Sequence, residues 1–142
     1  MLKQIVEKYN LTGVTTRCFD LLTSLKSTAC LALANLNDEK ITATCEGDIM
    51  SMITMRIASL VGDGYAFQAN PSRIDIKNNS MLIAHCTIPT KMTTSYKLDT
   101  HFESGIGVAI KGELKNKDVK VRVDYLDEFK KRVQKKNETQ KE

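Results

Sequence analysis

Residues 40–64, KITATCEGDIMSMITMRIASLVGDG, decide how the chain folds. KITATC (40–45) alternates apolar and polar residues, which is the period of a half-buried strand. Ile49, Ile53, Ile57 and Leu60 then recur at helical spacing, and Gly62 and Gly64 supply a helix stop. Between the two lies CEGD, in which Glu46 and Asp48 flank Gly47 where a strand hands over to a helix. Asp48 has two readings from spacing alone, a helix N-cap or a metal ligand. Glu46 reads as a site carboxylate or a solvated loop residue, and Gly47 can serve simply to supply a positive φ.

Working outward, the same grammar recurs upstream. LKQIVEKY (2–9) carries a helical stripe, TGVTTRCF (12–19) is a β-branched strand, and TSLKSTACLALANLND (23–38) reads as one helix. Helix, strand, helix, strand, helix implies neighbouring parallel strands. Beyond Gly64 the style changes. GYAFQANP (64–71) is strand-like and stops at Pro71, and residues 72–89 read as two strands around KNNS. Residues 100–126 read as a further pair turning at KNKD. The expected class is therefore α+β: an α/β-like part over 1–62, a mainly antiparallel sheet or small barrel over 63–126, and a charged tail, frayed or disordered, over 127–142.

Composition narrows the function classes. The chain has 142 residues, 42% hydrophobic and 27% charged, which suits one soluble globular core. No apolar run approaches the length of a membrane span, and the N-terminus lacks a signal-peptide layout, so the expectation is a cytoplasmic chain without a membrane partner. Residues 1–114 hold 11 Lys and Arg against 11 Asp and Glu, so the net charge of +4 lies entirely in the final segment. A balanced body without interleaved aromatics gives no nucleic-acid groove. Cys18, Cys30, Cys45 and Cys86 form no CxxC pair and no zinc-finger spacing, and they read as buried reduced thiols. Cys86 follows His85, and on a strand such neighbours face opposite ways, so they are not expected to pair.

Reactive side chains concentrate at expected element ends: Asp20, the Glu46 and Asp48 pair, Arg73 with Asp75, His85, and His101 with Glu103. Ligands of open α/β sheets sit beyond the carboxyl ends of the strands, where Asp20 and Asp48 fall. Oxygen donors with a histidine suit manganese or magnesium better than zinc. Bland readings stand beside these: His85 as a satisfied sheet histidine, Arg73 and Asp75 as a surface pair, and Met50, Met52 and Met55 as packing.

The ordered blocks TTRCFDLL, CLALANLN, CEGD, ANPSRID, AHCTIP and YKLDTHFESGIGVAIKGEL, over roughly residues 10–125, resemble the carboxyl-terminal half of the L-fucose isomerase family. Within that family the resemblance is to its shorter fucose isomerase-like members. That resemblance implies Rossmann-like domains followed by a β-rich domain, and a divalent-metal aldose–ketose isomerase working through an enediol. It implies that Asp48 is the metal-binding aspartate and that Asp20 lies near the preceding acidic ligand, where the family has Glu. These two are the expected catalytic and metal residues, with Mn2+ or Mg2+ as the ion. Arg17, Glu46, Arg73, His85, His101 and Glu103 are expected to contact a small sugar. The family's earlier domains and its late metal-binding histidine have no counterpart here. The resemblance thus implies a part that is incomplete alone, completed by an oligomer or by missing amino-terminal domains. The competing expectation is a non-catalytic binding or oligomerisation module.

Overall fold

The structure, a computed structural model, describes residues 1–62 and 64–114 of the chain. Helix α1, Leu2–Lys8, occupies the expected span and turns Val6 into the core with Leu2 against it, while Ile5 and Tyr9 of the expected stripe are exposed. Strand β1, Gly13–Thr15, pairs in parallel with β2, Thr42–Thr44, so the expected parallel neighbours are present. Both strands are shorter than the alternation suggested. The ladder runs out at Thr44, where Glu46 and Gly47 take positive φ values of 65° and 68° and turn the chain away. Residues 18 and 19, expected in the strand, therefore open helix α2, Cys18–Leu25.

The single helix expected over 23–38 is two. Lys26, at φ 49°, closes α2 in the left-handed conformation, and α3 runs over Cys30–Asp38. The break has a tertiary cause. The Thr28 hydroxyl donates to the Val108 carbonyl (3.3 Å) and accepts from the Val108 N–H (3.2 Å), tying the α2–α3 joint to a distant loop. Gly107, at φ 67°, makes that approach feasible, since a Cβ there would sit 2.2 Å from the Thr28 hydroxyl oxygen.

Helix α3 is the centre of the packing. Leu33 and Leu36 join Val6, Cys18, Ala43 and Cys45 in one apolar cluster. Ala34 meets Ile88 and Ile110, and Cys30 meets Cys86 and Ala109. Strand β2 is buried throughout. The edge of β2 turned away from β1 is covered by side-chain amides: Asn37 bonds both main-chain groups of Ala43, and Gln68 accepts from the Cys45 N–H at 2.8 Å.

Helix α4, Ile49–Gly62, occupies the expected span, but its faces are reversed. The stripe Ile49, Ile53, Ile57 and Leu60 is exposed. Met55 is the buried residue of this helix, and Met52 packs over Gly13. Met50, grouped with these two by sequence, is exposed.

The second half is antiparallel, as expected. Strands β3, Asn70–Asp75, and β4, Ser80–Ala84, form a hairpin with a register shift between Pro71 and Arg73. The strand expected over 64–71 is not formed: residues 65–69 carry no regular element, and β3 begins at Asn70, with Pro71 next to the register shift, where a missing N–H costs the ladder least. A short 3₁₀ turn, Thr90–Met92, leads into β5, Thr93–Asp99, which pairs with β6, Ala109–Leu114. Sequence reading paired residues near 109–114 with a strand beyond KNKD, and residues 115–126 lie outside the described residues. The partner seen here, β5, is a polar run exposed along most of its length and carries no hydrophobic period. The class is α+β, with three two-stranded sheets, none of them closed into a barrel among the described residues. No helix among them is long and apolar enough to cross a membrane.

Candidate functional site

The end of β2, the end of β4 and the loop after β5 meet around a cavity of about 290 Å³. Glu46 enters it from the first of these, His85 and Cys86 from the second, and His101 and Glu103 from the third. A neighbouring cavity of about 370 Å³ shares His85, Cys86 and Phe102 but is walled mainly by apolar side chains such as Phe67, Ile83, Ile88 and Ile110. Glu46, His101 and Glu103 line the smaller one alone.

Glu46 is held unusually. Its left-handed backbone precedes a left-handed Gly47, whose N–H donates to the Thr16 carbonyl at 2.9 Å. This double turn aims the carboxylate across the cavity mouth, where Asn70 donates to Oε1 (3.2 Å) and His85 Nε2 lies 3.7 Å away. The imidazole of His85 is buried, and its Nδ1 is hydrogen-bonded to the Thr87 hydroxyl at 2.9 Å. Burial lowers the His85 pKa, and this outweighs the opposing pull of Glu46. Burial therefore works against an ion pair between His85 and Glu46.

His101 is also buried. Its Nδ1 is hydrogen-bonded to the Ser104 hydroxyl at 3.1 Å, and its ring stacks on Phe102 with centroids 5.3 Å apart. The loop around it is closed by Gly105 N–H donating to the His101 carbonyl at 2.8 Å.

The four cysteines divide into two pairs. Cys18, the first residue of α2, and Cys45, just beyond β2, are joined in a disulfide with Cα atoms 6.1 Å apart. For these two the reduced-thiol expectation is corrected: α2 starts just beyond β1, which pairs with β2, and this brings Cys18 beside Cys45. Cys30 and Cys86 are free and buried, as expected. Interaction between the two thiols lowers the Cys30 pKa to about 7 and, together with burial, raises that of Cys86. The expectation that His85 and Cys86 face apart is also corrected. Both lie beyond the last residue of β4, where strand alternation has ended, and Cys86 Sγ is 3.9 Å from His85 Nδ1.

Four of the six residues expected at a substrate, Glu46, His85, His101 and Glu103, line this one cavity. Arg17, Arg73, Asp20 and Asp48 are not part of its lining. The Arg17 Nε donates to Asp20 at 3.0 Å in an exposed pair at the start of α2. Arg73 lies exposed on β3 opposite Leu82, while Asp75 accepts from the Asn78 N–H and side chain across the hairpin turn. Asp48 is the N-cap of α4. One carboxylate oxygen accepts the Ser51 N–H (2.8 Å), the other accepts the Ser51 hydroxyl (2.6 Å), and these bonds lower its pKa.

Manganese or magnesium requires several oxygen donors around one point. Asp20 and Asp48 are each engaged elsewhere, and no third carboxylate or histidine gathers with them among the described residues. In this arrangement they do not make up a hard-ion site. One group of three does meet the distance requirement: Cys30, Cys86 and His101, all buried, with ligating atoms within 4.8 Å of one another. Sequence reading missed it because its members come from three separate segments. The only signal was that the cysteines sit in apolar contexts without a partner motif.

Compared with protein-family models, curated proteins and solved structures, the chain finds no match.

Proposed function

We propose that the Glu46 cavity is the sugar site of a chain related to the L-fucose isomerases, acting as the carboxyl-terminal part of an aldose–ketose isomerase. What supports this reading is the convergence of Glu46, His85, His101 and Glu103, from three separate segments, on one opening. Isomerisation needs a base that takes the C2 proton of the aldose and returns it to C1, with a proton passing from O2 to O1 through the enediol. Glu46 is the base on this reading. It is anchored by Asn70 and partly screened from water, and His85 beside it can relay the hydroxyl proton. The ion implied by the resemblance has no assembled oxygen cage at Asp20 and Asp48, so no step here runs through it. Such a part contributes groups to a larger site and turns over little substrate alone.

Titration of the chain with L-fucose, L-arabinose and their open-chain polyols, followed by amide and imidazole chemical shifts, tests the reading. Shifts should concentrate at Glu46, His85 and His101 and weaken in Glu46→Gln. Deuterium from solvent should appear slowly at C2 of the sugar with the wild type and not with the variant. Shifts scattered over the surface, or absent with every sugar, would sink it.

A second reading, an assembly module without catalysis, has its own observation. Ile49, Met50, Ile53, Ile57, Leu60 and Val61 are all exposed on α4. Exposed apolar surface of this kind marks association sites. Sedimentation at rising concentration should show self-association that Ile53→Lys abolishes, and a monomer throughout would remove this reading.

A further inference from the structure

Three buried donors converge apart from the carboxylates that the sequence singles out. Cys30 begins α3, Cys86 follows β4, and His101 follows β5. We propose that Cys30, Cys86 and His101 bind a zinc ion through two sulfurs and one imidazole nitrogen. The donor set selects the ion. Thiolate and imidazole favour zinc, whereas manganese and magnesium take oxygen.

The spacing agrees. A tetrahedral zinc with bonds of about 2.3 Å to sulfur and about 2.0 Å to nitrogen holds its ligand atoms roughly 3.5–3.8 Å apart. The three donors here lie within 4.8 Å of one another, so small side-chain rotations close the site. His101 is already oriented. Its Nδ1 is held by Ser104, with the hydroxyl at 3.1 Å and the N–H approaching at 3.4 Å; with Nδ1 donating to the hydroxyl, Nε2 is left for the ion. A thiol pair packed on Ala109 would explain Cys30 and Cys86 as core residues. It does not explain why a buried imidazole nitrogen lies within 4.8 Å of both sulfurs.

Three protein ligands leave a fourth position. Two of the three, Cys86 and His101, line the cavity that holds Glu46 and Glu103, so the open position faces that cavity. Three ligands with one position free is the arrangement of a catalytic rather than a structural zinc. The assignment does not rest on the sugar-site reading, since either can hold without the other.

The full chain, reduced and stripped of metal under anaerobic conditions, is titrated with Co2+ and then Zn2+. One equivalent of cobalt should give thiolate-to-metal charge-transfer bands and tetrahedral d–d bands, which zinc then bleaches. X-ray absorption of the zinc form should show two sulfurs, one imidazole nitrogen and one further light atom. Cys30→Ser and His101→Gln should abolish the charge-transfer spectrum or shift it. Ser104→Ala, which keeps all three ligands, should weaken affinity by about 10–100-fold. Asp20→Asn should change nothing. The absence of charge-transfer bands in the folded wild type overturns the proposal, whatever the variants do. So does a four-sulfur or all-oxygen shell, an unchanged spectrum in a folded Cys30→Ser chain, or a Cys30–Cys86 disulfide in protein kept free of oxygen.

Discussion

The side-chain amide of Asn37 pairs with both main-chain groups of Ala43, donating to its carbonyl at 2.7 Å and accepting from its N–H at 2.8 Å. An amide at the end of α3 thereby stands in for a third strand along the buried edge of β2. Asn37→Ala leaves two buried backbone groups without partners, each worth about 1–3 kcal/mol. Urea denaturation should show a loss of that order, with Asn37→Asp also destabilising because a carboxylate cannot donate. A variant within about 0.5 kcal/mol of wild type would show that water replaces the amide at no cost.

Asp48 allows a pH test. Its folded pKa lies below the ordinary value because it accepts from Ser51. The stabilisation it gives is therefore present above the unfolded pKa of about 3.9 and is lost as pH falls through the lower folded value. Asp48→Ala should cost about 0.5–2 kcal/mol at pH 7, and the gap to wild type should close in acid. A gap that persists undiminished at pH 2 would mean that the carboxylate acts through packing rather than charge.

The Cys18–Cys45 link closes a loop of 27 residues. On a chain-entropy account, such closure is worth about 3–4 kcal/mol. Peptide mapping without reductant should recover the linked pair, and reduction should lower the denaturation midpoint. Mapping that recovers only free Cys18 and Cys45 would refute the pairing.

Some of this was legible in the sequence and some was not, for definable reasons. Local period located α1, β2 and α4 to within a few residues, and the change of style after Gly62 separated parallel from antiparallel pairing. Period could not show which way α4 faces, because its isoleucines would mark a core side in any isolated helix. It also could not foresee that Thr28 would be drawn to Val108 and split a helix, or that a polar run, TTSYKLD, would be a strand. Glu46, His85, His101 and Glu103 stood out as reactive groups at turns, and they share a cavity. The Cys30, Cys86 and His101 group was invisible because proximity across the fold leaves no trace in spacing.

Glu46 occupies a backbone conformation, φ 65°, that glycine adopts freely and other residues adopt at a cost of about 1–2 kcal/mol. Folding alone would favour glycine there. Glu46→Gly should hold stability or raise it by up to about 1 kcal/mol, even though glycine has more freedom to lose. It would also remove the carboxylate that lies 3.7 Å from His85 Nε2. A fall of more than about 1 kcal/mol would instead show that the side chain holds the turn. The position then becomes a place where endurance and chemistry compete. A chain selected only to survive heat would drift to glycine at residue 46, and one selected for its cavity would keep the acid and tolerate the softer fold.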